Sequence, residues 1–318
     1  MRPDLSGLNG TYRCLYAVLS VIVAGSALAG GQIVNCQIVN VKLSNIVMSV
    51  HVQNARMTTA KIRQMKAAGE KITMLTSYDF TLTRLLDEAG LDMILVGDSA
   101  SNVVCGNQYT LPITLDEMIF LTKGVVRGAK HCLVVADMPF GAYQVSTEDG
   151  VRNAIRMMKE SGADAVKMEG GEEIVPLVRH LVQAGVPVMG HLGLTPQSVN
   201  QFGGYGLRAK EEKEAEKLLR DAQLLDEAGC FSIVLEKIPA ALAAKVTEAV
   251  SCPTIGIGAG NATSGQVLVL HDMLGLNTGF KPKFLRHFAE LAGEVSTAVG
   301  NYIAAVKDGT FPNAEEAY

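Results

Sequence analysis

FTLTRLLDEAGLDMILVGDS, residues 80–99, contains one full period of the chain's organisation. Leu82, Leu85, Leu86 and Ala89 fall on one helical face, so Phe80–Ala89 reads as an amphipathic helix with Gly90 as its C-cap. A short apolar run, Met93–Val96, follows and stops on a polar pair, Asp98-Ser99. The same order returns in SGADAVKMEGG (161–171), QAGVPVMGHLG (183–193) and EAGCFSIVLEK (227–237). Helix followed by buried strand, repeated, means βα units around a parallel sheet.

The apolar runs place strands at Ile72–Leu75, Met93–Val96, Leu133–Ala136, Ala165–Met168, Val188–Gly190, Ile233–Leu235 and Thr254–Ile257, with a weaker eighth at Val267–Leu270. Eight such units in about 250 residues fit a (β/α)8 TIM barrel. A doubly wound open sheet is the rival, and it favours a GxGxxG turn after an early strand. The glycine-rich stretch here, IGIGAG at 255–260, follows a late strand. It reads as a tight turn with close packing, with phosphate or ligand contact as the alternative.

The chain has 318 residues, 48% hydrophobic and 19% charged, enough to bury a large core without a disulfide or metal staple. Lys+Arg is 28 against Asp+Glu 32, Trp is absent and no basic run exists, which disfavours nucleic-acid binding. The six cysteines form no CxxC pair and no zinc spacing, as expected of reduced, buried thiols in the cytoplasm.

Residues 1–56 differ from the rest. No charged residue lies between Arg13 and Lys42. Leu15–Ala29 resembles a signal-peptide core ending in Ala27-Leu28-Ala29, and Cys14–Val41 is long enough to span a membrane. QIVN at 32–35 recurs at 37–40, which suits neither reading. The expectation is an N-terminal extension that is disordered or a misplaced start, with Met48 or Met57 as the true one. A single barrel domain then occupies 57–318, without a membrane span. A targeting peptide and a membrane anchor are the alternatives.

The chemistry stands where the strands stop: at Asp79, Asp98-Ser99, Asp137, Lys167-x-Glu169, His191 and Glu236. In a parallel barrel these ends converge on one mouth, where active sites lie. Carboxylates at the edge of a core need a partner or a metal. Asp98, Asp137 and Glu169 outnumber the one basic side chain, Lys167, so a cation is the simplest neutraliser. An oxygen-rich set favours Mg2+ over Zn2+. Asp79 reads instead as a helix N-cap.

Lys167 and Glu169, two apart, project to the same side of a strand. Lys167 suits pairing with a substrate carboxylate, with a Schiff base as the alternative. Glu236, a lone carboxylate in IVLEKIP, suits a general base with a raised pKa, or else pairs with Lys237. His191 is balanced between core and site. His51, His131, His180, His271 and His287 read as structural.

The chain closely resembles the ketopantoate (3-methyl-2-oxobutanoate) hydroxymethyltransferase family. The matching blocks include TSYD (76–79), LVGDS (95–99), TLPIT (110–114), ADMPFGAY (136–143), VKMEGG (166–171), GHLGLTPQSVNQFGGY (190–205), VLEKIP (234–239) and GQVLVLHDMLG (265–275), in family order. The resemblance implies a barrel of the phosphoenolpyruvate/pyruvate type assembled as a homodecamer. It implies magnesium at Asp98, Asp137 and Glu169. It implies 2-oxo acid contacts from Asp98, Ser99, Asp137 and Lys167, and Glu236 as proton acceptor. The implied reaction moves a one-carbon unit from 5,10-methylenetetrahydrofolate to 3-methyl-2-oxobutanoate, giving 2-dehydropantoate for pantothenate and coenzyme A synthesis. Cys105-Gly106-Asn107, Ser264 and the EEAY end depart from the family's usual residues. The alternatives are another magnesium-dependent barrel enzyme, such as a carbon–carbon lyase using a reactive Cys105, and a non-catalytic scaffold, which predicts an incomplete acid set.

Overall fold

The computed structural model describes residues 56–318, so the expectations for residues 1–55 fall outside the described residues. Arg56, on the extension side of the expected boundary, donates to Asp164 Oδ2 at 2.7 Å.

Helix α1 (Thr59–Ala68) precedes β1 (Ile72–Thr76). Then α2 (Phe80–Glu88) leads to β2 (Met93–Val96), and α3 (Ala100–Val103) and α4 (Leu115–Gly128) lead to β3 (Leu133–Asp137). Helix α5 (Thr147–Ser161) precedes β4 (Ala165–Glu169), and α6 (Val175–Gln183) precedes β5 (Val188–Gly193). Helices α7 (Val199–Phe202) and α8 (Glu212–Glu227) precede β6 (Ser232–Glu236), and α9 (Ala240–Ala249) precedes β7 (Thr254–Ile257). β8 (Gly265–Leu268), α10 (Leu270–Met273) and α11 (Leu291–Asp308) complete the described chain. The eight strands close in chain order into a parallel barrel, with β8 paired to β1 from Ile72↔Gly265 to Leu75↔Leu268.

The pleat sorts the apolar residues into two cores. Met74, Met93, Leu95, Leu133, Val135, Met189, Val234 and Ile255 fill the barrel, and Ile62 of α1 joins them from below. Ile94, Val96, Val134, Val166, Met168 and Ile233 alternate with these and face the helices. Lys66 of α1 donates to Thr247 O, Val250 O and Cys252 O, satisfying carbonyls at the end of α9 and the approach to β7.

Two sequence expectations change. The last strand lies two residues earlier than Val267–Leu270 and no helix separates it from β7. Gly265 lies so close to the Ile72 carbonyl and side chain that a Cβ would collide with both. Leu270 N donates to Thr76 Oγ1 at 2.9 Å and turns the chain into α10. In α2, Leu85 and Ala89 are exposed, and the buried residues are Thr83 and Asp87.

Asp87 explains that rotation. Its Oδ1 accepts from His131 N and Cys132 N, both at 2.8 Å, just before β3 begins. Its Oδ2 lies 2.8 Å from His131 Nδ1. An acid at a helix C-terminus opposes the helix dipole, so these N–H groups are its reason for being there. Burial pushes the carboxyl up, but the Cys132 and His131 N–H groups outweigh it and hold it down at about 2. The hexapeptide LLDEAG occurs twice, at 85–90 and 224–229. In the second copy Asp226 accepts from Ser251 N at 2.6 Å and Cys252 N at 3.0 Å, before β7.

Asp87→Ala is expected to cost about 3 kcal/mol at pH 7, because two N–H groups lose their acceptor. The depressed pKa fixes the sign of the pH dependence. Asp87's ionic contribution is full above the unfolded value of 3.8 and lost as pH falls through about 2. Urea unfolding of both proteins between pH 7 and 2 checks this. A gap that stays constant over that range removes the ionic account.

Candidate active site

Strand parity places the chemistry. Val135, Ala165, Met189 and Val234 point into the barrel, so Asp137, Lys167, Glu169, His191 and Glu236, each an even step further along its strand, point in above them. Registry aligns Asp137 with Lys167 and Glu169 with His191. Asp98 and Ser99 follow β2. All seven line one cavity of about 440 Å3.

Lys167 Nζ lies 2.8 Å from Asp137 Oδ1. Asp137 Oδ2 accepts from Asp98 N at 2.9 Å. Asp98 Oδ2 accepts from Gln197 Nε2 at 2.9 Å, and Glu169 Oε2 from Gln197 N at 2.9 Å. Ser99 Oγ shares a 2.8 Å hydrogen bond with Tyr78 OH. His191 was balanced between core and site by sequence, and the structure puts it at the centre. Its Nδ1 is 3.3 Å from Glu169 Oε1 and 3.2 Å from Lys167 Nζ, and its Nε2 is 3.3 Å from Glu236 Oε2.

The electrostatics follow from burial and proximity. Burial raises the Asp98 carboxyl well above its ordinary range, and the neighbouring charges of Asp137 and Glu169 add to this. Burial also raises Asp137, against the opposing pull of Lys167. For Lys167 burial pulls down, but Asp137, Glu169 and Asp98 together carry the ammonium upward. Burial and Lys167 lower the His191 imidazole, while Glu169 and Glu236 outweigh them and raise it to about 9. Only the doubly protonated ring offers an N–H to both acids.

The donor set fits a hard cation. Three carboxylates share a buried cavity with one lysine, where Asp137 Oδ1 meets the Lys167 ammonium at 2.8 Å and Glu169 Oε1 meets the His191 ring at 3.3 Å. Buried acids that outnumber the cations beside them call for a further positive charge. Among the described residues no three His, Cys, Asp or Glu side chains are gathered to hold an ion. The Lys167 ammonium occupies Asp137's side of the group instead.

Other readings can be placed. Asp79 caps α2, accepting from Thr81 N and Leu82 N. Glu236 is not alone, since His191 faces it, and it does not pair with Lys237, whose ammonium donates to Tyr205 O. Gly258 lies against the Phe284 ring, which agrees with close packing in the 255–260 stretch. Cys132, Cys230 and Cys252 are buried free thiols, whereas Cys105 is exposed and is not part of the cavity lining. His131 bonds Asp87, and His271 packs on Tyr78 at 5.5 Å. Gln197 and Tyr143 were missed by sequence, although GHLGLTPQS and ADMPFGAY contain them.

The likeness to known proteins extends over the same residues. A family model described as ketopantoate hydroxymethyltransferase matches residues 56–314. A Bacteroides fragilis protein named 3-methyl-2-oxobutanoate hydroxymethyltransferase is 58% identical over 263 residues, covering 83% of this chain and 96% of the relative. A Flavobacterium johnsoniae protein of the same name is also 58% identical, covering 83% and 97%. Among solved structures, phosphonopyruvate hydrolase complexed with oxalate and Mg++ superposes with a TM-score of 0.54 at 12% identity, covering 82% of this chain and 93% of that one. A 2,3-dimethylmalate lyase of the PEP mutase/isocitrate lyase superfamily gives 0.51 at 17% identity, covering 82% and 91%. These two speak for the barrel alone. The sequence matches run through every strand that carries the cavity's charged residues, and with them the chain belongs to the ketopantoate hydroxymethyltransferase family.

Proposed function

We propose that this chain transfers a hydroxymethyl unit from 5,10-methylenetetrahydrofolate to 3-methyl-2-oxobutanoate, giving 2-dehydropantoate. The observation that carries the reading is one buried ammonium among three acids, with Glu236 beside them in the same cavity.

Lys167 holds the 2-oxo acid's carboxylate, and Ser99 and the Asp98 and Asp137 backbone region flank it. Glu236 takes the proton from C3, and His191, between Glu169 and Glu236, fixes its carboxylate. C3 then bonds to the folate's one-carbon unit, and the net transfer consumes one water. Asp98, Asp137 and Glu169 would hold Mg2+, which supplies Lewis-acid polarisation of the 2-oxo group. Phe280, Phe284 and Tyr205 line the same cavity and are the aromatic side chains available to the folate ring.

The reading extends to a cytoplasmic homo-oligomer, a decamer by family resemblance, serving pantothenate and coenzyme A synthesis. Val299, Tyr302, Ile303 and Val306 of α11 are exposed apolar residues that a neighbouring copy would cover. Among the described residues no helix is long and apolar enough to cross a membrane.

The test is exchange of the C3 proton of 3-methyl-2-oxobutanoate into D2O, followed by NMR with tetrahydrofolate present. Exchange is expected with Mg2+ and about a hundredfold slower after chelation. No exchange, or exchange indifferent to chelation, overturns the reading.

A further inference from the structure

Gln197 is buried, uncharged and bonded at every polar atom of its side chain. Its Nε2 donates to Asp98 Oδ2 at 2.9 Å and to Met138 O at 3.0 Å. Its Oε1 accepts from Tyr143 OH and from Gln144 Nε2, both at 2.9 Å. Two acceptors on one side and two donors on the other fix which end of the amide is which. Its backbone N–H holds Glu169 Oε2 at 2.9 Å.

We propose that Gln197 is a positioning residue that sets Asp98 and Glu169 for divalent-cation binding, an inference that rests on the metal reading above. From the turn after β5 this one residue ties together the ends of β2, β3 and β4. Pro196 precedes it in a short 3-10 turn, Pro196–Ser198, and restricts the backbone that aims its N–H. The Tyr143 hydroxyl that donates to Gln197 also accepts from Glu169 N at 3.0 Å, so the acid is held from two directions.

The residue type is dictated by charge as well as shape. A glutamate here would add a further acid to a group already short of positive charge. A lysine or arginine would neutralise the acids permanently and compete with a cation. Only an uncharged side chain with paired donors and acceptors orients Asp98 while leaving its charge available. Because all four hydrogen-bonding positions are taken, Gln197 has none left for substrate. Its influence runs through the acids.

The experiment compares Mn2+ binding, measured by EPR without substrate, in wild type, Gln197→Met and Tyr143→Phe. Methionine keeps the length and removes every hydrogen bond of the side chain. Its Mn2+ dissociation constant is expected to rise by about 10–100-fold, the usual effect of losing support behind a metal ligand. Circular dichroism and thermal unfolding verify the fold. Tyr143→Phe, nearly isosteric, is expected to rise several-fold and carries the test if Gln197→Met does not fold. The KM for the 2-oxo acid should rise with the Mn2+ constant and fall back at saturating metal, which general loosening of the fold would not do. A wild type that binds no Mn2+ overturns the metal reading and this inference with it. A wild type that binds, alongside folded variants that bind equally well, overturns the positioning role alone.

Discussion

Glu236→Gln lowers turnover by about 10²–10⁴-fold and leaves 2-oxo acid binding nearly unchanged, the effect expected of losing a general base. The amide keeps the size of the carboxyl and can still accept from His191 Nε2, which lies 3.3 Å away. It cannot take a proton from carbon. The side chain is 17% exposed, against 3–5% for Asp137, Lys167, Glu169 and His191, so of these five it is the half-buried one, open to substrate entering from outside. Steady-state kinetics and C3 exchange should fall together. Turnover within a few-fold of wild type would remove the role, and a rise in KM with kcat intact would turn Glu236 into a binding residue.

Lys167→Met produces the second large effect, through binding. The lysine is the fixed positive charge among Asp98, Asp137 and Glu169, and breaking such a buried pair costs about 3–5 kcal/mol. Part of that loss falls on the fold, because Asp137 Oδ1 then faces no cation of the protein. Part falls on the substrate, whose carboxylate meets three acids without an ammonium. The KM for 3-methyl-2-oxobutanoate is expected to rise by about 10²–10³-fold at about 1.4 kcal/mol per decade, with a lowered Tm. Wild-type KM with a lowered Tm would make Lys167 a purely structural counter-charge. Activity abolished with unchanged binding of the 2-oxo acid would revive the imine alternative.

The barrel was legible because its strands are unmixed apolar runs and its helices end in small residues and glycine. Strand parity alone puts Lys167 and Glu169 on the same side. The eighth strand was misplaced because its signal is thin. Gly265 and Gln266 open it, and hydropathy alone favours VLVL at 267–270. The face of α2 was misread for a related reason. Leucine spacing turns Leu85 and Ala89 inward, but Asp87 is needed inside to meet two N–H groups more than forty residues away in sequence.

His191 looked ambiguous since a histidine carries no charge signature. Its role appears only when registry sets it beside Glu169 and next to the strand that ends in Glu236. Gln197 was invisible for the same reason in stronger form. A neutral amide in a turn has no periodicity, and only the closed barrel brings it to three strand ends at once. Glu236 was read as isolated because sequence neighbours were all it could be judged by.

The paired LLDEAG segments separate two kinds of selection. Asp87 and Asp226 work at the rim where β3 and β7 begin, and the reactive groups sit at the rim where strands finish. Drift at the first rim alters how long a molecule survives heat or acid, and drift at the second alters what it does per second. A thermostability library confined to the floor of the barrel therefore has room to work without touching the catalytic rate, a freedom denied to proteins whose scaffold and chemistry occupy the same surface.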